Sequence, residues 1–206
     1  MHELLAAAIV TIRIYNYAAV PAEQVAAARA AADAIFQETG ISLQWIDCRV
    51  SPAAPGGECP GPLGESEFVL RLLALPTSKE SNPTGPSRST AKPIVPNPGT
   101  ANRLVLGSSL IDADTHGGVL ITVNPAHTAA IAAQTGVDAP LMLGRAIAHE
   151  LGHMLLGTPA HAETGLMRAL WSQRELRENK ASDWQFSPPE AGAMRHSLAV
   201  RTREAN

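Results

Sequence analysis

The residues best equipped for chemistry in this chain are two histidines and a glutamate, in the run His149-Glu150-Leu151-Gly152-His153, an HExxH pattern. They lie within residues 139–156, whose other side chains are mostly Leu, Met, Ile and Ala. That stretch reads as one helix, with Asp138 as its cap and Pro140 in the first turn. It is apolar nearly all round, so it belongs inside the protein. A buried polar group without a partner costs roughly 2–7 kcal/mol, so the histidines need one. His149 and His153 are four residues apart and share a helical face, one turn from each other. Two imidazoles so placed can reach one zinc ion at about 2.0–2.1 Å. Glu150 stands beside the ligand line, where it can take a proton from water activated at the metal. The competing reading is two core histidines satisfied by hydrogen bonds.

A catalytic zinc site usually has three protein ligands and one open position. Gly157 ends the helix, because glycine accepts the left-handed conformation of a helix exit, and Pro159 blocks continuation. The chain therefore turns back, and His161 can approach the metal from outside the helix. Glu163 and Glu175 compete with His161 for that role. Thr164-Gly165-Leu166-Met167 reads as a tight turn carrying a methionine.

Taken together, His149, Glu150, His153, Gly157, His161 and Met167 resemble the motif of the metzincin metallopeptidases. Here the spacing is HExxHxxxGxxxH, with the glycine one residue later and the last histidine two residues later than the usual pattern. The specific resemblance covers residues 149–167, and the short bacterial type is the nearest kind. It implies one catalytic Zn2+ held by His149, His153 and His161, with Glu150 as general base and Met167 in the Met-turn beneath the ion. The implied activity is hydrolysis of peptide or protein substrates. The implied fold is α/β (α+β): a twisted, mostly parallel five-stranded sheet with one antiparallel edge strand. The active-site helix lies below it, followed by a small C-terminal helical subdomain. Residues 1–206 would form one catalytic domain, divided into residues 1–156 and 157–206. The resemblance also implies a secreted or periplasmic protein, and a monomer is expected. Two alternatives stay open. In thermolysin-like peptidases the third ligand is a glutamate on a later helix, and Glu175 lies at a permissible separation. A non-catalytic module could also hold zinc structurally, although a closed site has no use for Glu150.

The elements that must position these residues are legible as periodicities. Residues 8–15 alternate as a strand, with Val10, Ile12 and Ile14 on one face. Residues 21–38 repeat with helical spacing through Val25, Ala28, Ala32, Ile35 and Phe36. Residues 41–48 form a second strand, so the three make a βαβ unit with parallel strands. A parallel sheet is normally covered on both faces, and the helix around His149 is a natural cover for one. Residues 51–64 are rich in Pro and Gly and read as a loop. Residues 68–73 are a third strand. Residues 76–102 contain six prolines, at 76, 83, 86, 93, 96 and 98, and form a long surface insertion. Residues 103–110 and 119–123 read as antiparallel neighbours. By the resemblance, 103–110 is the edge strand that pairs with extended substrate. Residues 125–135 form a short helix leading to the active-site helix. Leu170, Trp171 and Leu176 belong to another. Ser187-Pro188-Pro189-Glu190 starts a last helix that runs to about Val200.

Composition narrows the remaining classes. A net charge of -3 with no basic cluster argues against nucleic acid as a partner. No apolar run approaches the ~18–20 residues of a membrane helix, so no membrane partner is expected. Residues 4–10 are apolar but lack a basic flank, so they do not read as a signal peptide. Cys48 and Cys59 are the only cysteines. Their spacing across a Gly/Pro-rich stretch permits either a disulfide or two free thiols, and the export implied by the resemblance favours the bond. Arg145, four residues before His149, reads as a solvated or ion-paired helix residue. His116 and His127 read as surface residues.

Overall fold

The structure is a computed structural model that describes residues 8–51, 54–59, 61–64, 66–74, 105–112 and 118–204. The apolar alternation of the first strand, β1 (Ala8–Asn16), buries Val10, Ile12 and Ile14. Helix α1 (Ala22–Gln37) buries Val25, Ala28, Ala32, Ile35 and Phe36, the stripe its helical spacing dictates. It returns the chain to β2 (Ile41–Ser51), which pairs parallel with β1 from Ala8↔Ile41 to Tyr15↔Cys48. On the other side of β1 lies β4 (Glu67–Leu72), also parallel, and beside it β6 (Leu120–Val123), again parallel. The edge strand β5 (Gly107–Leu110) runs antiparallel to β6 with Ser109 opposite Ile121. These five strands form the expected α/β sheet, mostly parallel with one antiparallel edge.

A sixth strand departs from the sequence reading. Part of the stretch read as a loop, β3 (Ala54–Glu58), folds back antiparallel on β2, giving the order β3-β2-β1-β4-β6-β5. Pro and Gly have low strand propensity; covalent closure favours the hairpin instead. Cys48 and Cys59 form a disulfide with their Cα atoms 4.7 Å apart. Just beyond it, Arg13 donates to the carbonyls of Gly61 and Pro62 at 2.8 and 2.5 Å and pairs with Glu67. The proline-rich stretch 76–102 and the first two residues of the expected strand 103–110 lie outside the described residues, as does His116.

The sheet alternates as one with a single fully packed face. Val10, Ile12, Ile14, Phe68, Leu70 and Ile121 are buried, whereas Ser42, Gln44 and Arg71 are exposed and Ile9 is 52% exposed. The expectation of cover on both faces therefore holds only in part among the described residues: Arg13 is buried beneath residues 61–62, whereas Ile9, Ser42, Gln44 and Arg71 are exposed.

Helix α2 (Pro125–Thr135) starts at Asn124, whose side chain accepts from the N–H groups of Ala126 and His127. Helix α3 (Ala139–Leu156) starts at Asp138, which accepts from Leu141 at 3.0 Å. From Met142 to Leu155 every residue of α3 is buried. Gly144 lets it cross α1 closely: a Cβ there would lie 2.5 Å from the Ala28 carbonyl oxygen. The chain then forms α4 (Gln173–Glu178), a 3₁₀ turn (Ala181–Trp184) and α5 (Pro188–Glu204). Ser187 and Glu190 cap α5 reciprocally, and α5 runs one turn past the predicted end. Among the described residues no helix is long and apolar enough to cross a membrane.

Candidate metal centre

The site grows out of the C-terminal end of α3. Gly157 adopts φ +63° and ends the helix, its N–H bonding to the His153 carbonyl. A residue with a Cβ would be strained in that conformation. The reversal brings the Thr158 carbonyl back to within 2.9 Å of His153 Nδ1. One turn earlier on α3, His149 Nδ1 lies 2.9 Å from the Leu166 carbonyl. A carbonyl can only accept, so both Nδ1 atoms carry the proton and both Nε2 atoms present lone pairs.

Those two Nε2 atoms are 3.1 Å apart. Two lone pairs facing each other in a buried place repel unless a cation sits between them. A tetrahedral ion with Zn–N bonds of 2.0–2.1 Å would hold them about 3.3–3.4 Å apart, close to what is found. The His161 ring completes the group, with its centroid 4.7 Å from that of His153 and 5.4 Å from that of His149. One ring nitrogen from each of the three lies within 4.8 Å of the others. His161 is exposed, while His149 and His153 are buried. Burial pushes His149 down to about 4, helped by the neighbouring His153 and His161 and opposed by the Leu166 bond. Burial likewise lowers His153. Both rings are therefore neutral at pH 7, the state a metal requires.

Met167 is buried against α3 at Gly152, between the two histidines in sequence. Its sulfur lies where a Cβ on Gly152 would come within 2.6 Å, so a larger residue between the two histidines would displace it. The turn carrying it is tied down by Ala162 N–H to the Met167 carbonyl and Leu166 N–H to the Gln185 carbonyl. Trp171 donates its indole N–H to the Leu166 carbonyl at 3.2 Å and sets its ring edge-on to His149, centroids 5.6 Å apart. Such outer partners fix the tautomer and orientation of a ligating ring.

Glu150 is buried beside this group. Its Oε2 lies 2.6 Å from the Ser109 hydroxyl on β5. Burial pushes its carboxyl up to about 7, and the Ser109 bond opposes the rise. His149, Glu150 and His161 open on a cleft of about 520 Å³. Leu106, Ile131, Met142, Leu170, Trp171 and Leu176 line it as well, interspersed with the polar Gln134, Arg168 and Gln173.

His149, His153 and His161 are thus brought together, with Glu150 alongside and Met167 packed against Gly152 of the same helix. Glu175 is not part of the group. One carboxylate oxygen pairs with Arg168 and the other accepts from the Ser172 N–H at 2.8 Å, because Glu175 closes the capping box of α4. Glu163 is exposed and stands outside the histidine group. Arg145 is not solvated, and among the described residues it makes no ion pair. It is buried with its guanidinium 3.8 Å from the Trp184 ring centroid, and it bonds the Asn179 side chain. Burial lowers it to about 10. His127 is half-buried, with Nδ1 2.7 Å from the Val105 carbonyl. Nothing in the sequence singles out Ser109, and Leu170 and Trp171, expected on a helix with Leu176, lie before α4, which starts only at Gln173.

No family model matches the chain, and no curated protein matches it. Among solved structures it is similar to archaemetzincin from Methanopyrus kandleri, with a TM-score of 0.52 and 16% sequence identity. The likeness covers 97% of this chain and 99% of that one. At that identity it is a likeness of fold. The chain has the α/β fold of archaemetzincin along nearly its whole length, with three histidines placed to hold one metal ion.

Proposed function

We propose that this protein is a zinc-dependent metallopeptidase of metzincin type. His149, His153 and His161 hold the ion, Glu150 is the general base and Met167 supports the ligands from below. The observation that carries this reading is the meeting of two Nε2 lone pairs at 3.1 Å with a third imidazole beside them, at the head of a cleft. The likeness of fold to archaemetzincin supports it. A structural zinc is closed by four protein ligands. Here three histidines form the group among the described residues, and a carboxylate lies in the cleft beside them.

Zinc bound there supplies a Lewis acid that makes water more acidic and stabilises negative charge on a carbonyl oxygen. The chain's own groups do the rest. The Leu166 and Thr158 carbonyls hold the two helical histidines in the ligating tautomer. The Glu150 carboxylate accepts the proton of the attacking water and returns it to the leaving amine. Among the described residues β5 is the sheet edge, and its outer side would offer backbone N–H and C=O groups to an extended peptide, a mode of pairing indifferent to side-chain identity. The apolar residues that line the cleft, Trp171 beside His149 among them, receive an apolar side chain of the substrate. The Cys48–Cys59 bond supports a secreted or periplasmic location, because disulfides persist in oxidising compartments.

Digestion of a peptide library by the zinc-loaded protein tests the proposal. Cleavage is expected, with loss in chelator and recovery on adding zinc. Glu150→Gln is expected to keep its zinc and to lose about 10²–10⁴-fold in kcat. Cleavage by the chelated protein, or wild-type turnover in Glu150→Gln, contradicts it.

A further inference from the structure

The edge strand β5 touches α3 at one catalytically placed side chain. Gly107 and Ser109 are two apart, so they share a strand face, and both meet Glu150. A Cβ on Gly107 would lie 2.7 Å from Glu150 Cγ and 2.8 Å from Oε1. Ser109 Oγ lies 2.6 Å from Oε2 and 2.8 Å from the Glu150 backbone carbonyl. A hydroxyl has one proton and donates to one oxygen at a time. An ionised carboxylate at 2.6 Å is the stronger acceptor, within the 2.5–2.7 Å of a charge-assisted O–H···O⁻ bond. The flanking residues Ser108 and Leu110 are exposed on the opposite strand face. A slip of one residue in the β5–β6 register would carry Ser109 away from the helix altogether.

We propose that Ser109 is a positioning residue for the peptidase reaction, holding the Glu150 carboxylate against β5 by one oxygen. The inference rests on the peptidase reading. It differs from a merely structural tie between strand and helix, which the bond to the backbone carbonyl would provide by itself. A structural tie predicts lost stability. A positioning role predicts lost kcat with substrate and metal binding intact.

The test compares zinc-loaded wild type with Ser109→Ala and Ser109→Thr, by peptide kinetics, zinc content and crystal structures. In Ser109→Ala, kcat is expected to fall at least about tenfold, as for loss of a hydrogen bond to a charged group. KM should stay within about twofold and zinc at one ion per chain. Ser109→Thr keeps the hydroxyl and should recover most of the rate. The Glu150 carboxylate should leave its wild-type position in Ser109→Ala. Ser109→Cys, a weaker donor of similar size, is read the same way if the alanine variant does not fold. A wild-type kcat in Ser109→Ala overturns the proposal. So does a raised KM at constant kcat, which would make Ser109 part of substrate binding. Loss of zinc, or an unmoved Glu150, also overturns it. If the wild type cleaves no peptide, the peptidase reading fails, while the position of Glu150 in the two crystal structures still decides the role of Ser109.

Discussion

The two sides of the cleft are built by different means. The histidine side is nearly self-contained. His153 is tied to a carbonyl five residues ahead and His149 to one seventeen residues ahead. The helix end, the reversal at Gly157 and the turn at Met167 are all one short piece of chain. The glutamate side is not. Glu150 rides on the same helix, but its carboxylate is held by a hydroxyl 41 residues earlier, on the sheet edge. A metal site can therefore form wherever α3 and its exit form, whereas the Glu150 carboxylate is aligned only once β5 has docked. Damage to the exit should cost metal; damage to the sheet edge should cost turnover.

The largest expected effect breaks the histidine side. His161→Ala should weaken zinc binding by more than about 100-fold, since outer partners alone contribute 10–100-fold. Competition with a calibrated chelator measures it. An unchanged affinity would place the third ligand elsewhere.

The next prediction sets the two sides against each other through pH, in chelated protein. Folded His149 sits at about 4 against an ordinary 6.5, so the folded state binds fewer protons there. Its contribution is fully present above pH 6.5 and is lost as pH falls towards 4, about 3 kcal/mol. His153 shifts the same way. Folded Glu150 sits at about 7 against an ordinary 4.5, so the folded state binds more protons. Its contribution is fully present below pH 4.5 and is lost as pH rises through 7, again about 3 kcal/mol. Between pH 7 and 4 the Glu150 term opposes the two histidine terms, so the wild type should lose less stability than a variant without that carboxylate. Chelated Glu150→Gln lacks the opposing term and should lose at least about 3 kcal/mol over that range, His149 alone accounting for that much. Urea unfolding at pH 7, 5.5 and 4 measures both; the same pH profile in variant and wild type would contradict the burial account.

A region remote from both sides serves as the control. Reducing Cys48–Cys59, whose sequence separation is 11, should cost about 2–3 kcal/mol of stability by loop entropy. Zinc content and kcat should not change, and a loss of zinc on reduction would tie the hairpin to the site. The smallest effect sharpens the glutamate side. Gly107→Ala should press on Glu150 and lower kcat by about tenfold with zinc retained. Wild-type kinetics would show that the carboxylate can shift without cost.

What was legible in the sequence follows the same division. HExxH, the glycine exit, His161 and the methionine turn are neighbours in sequence, so their meeting could be read from spacing. The strand and helix stripes were legible because burial imposes periods of 2 and 3.6 on the apolar residues. Ser109 was not legible. A hydroxyl in Gly-Ser-Ser-Leu carries no signal of its own, and its partner is fixed by strand docking. β3 was hidden because its Pro and Gly argue against a strand that a disulfide makes affordable. Arg145 looked like an exposed cation because its partners Trp184 and Asn179 arrive from a different part of the chain. The exclusion of Glu175 was within reach. Ser172-Gln173-Arg174-Glu175 is a capping-box sequence, which turns that carboxylate back on its own helix start.

The central claim is that three imidazoles from α3 and its exit share one zinc ion. Anomalous diffraction at the zinc edge from crystals of the zinc-loaded protein tests it most directly. The account predicts a single peak about 2.0–2.1 Å from Nε2 of His149, Nε2 of His153 and a ring nitrogen of His161. A peak elsewhere, or one that leaves His161 unbound, would contradict it.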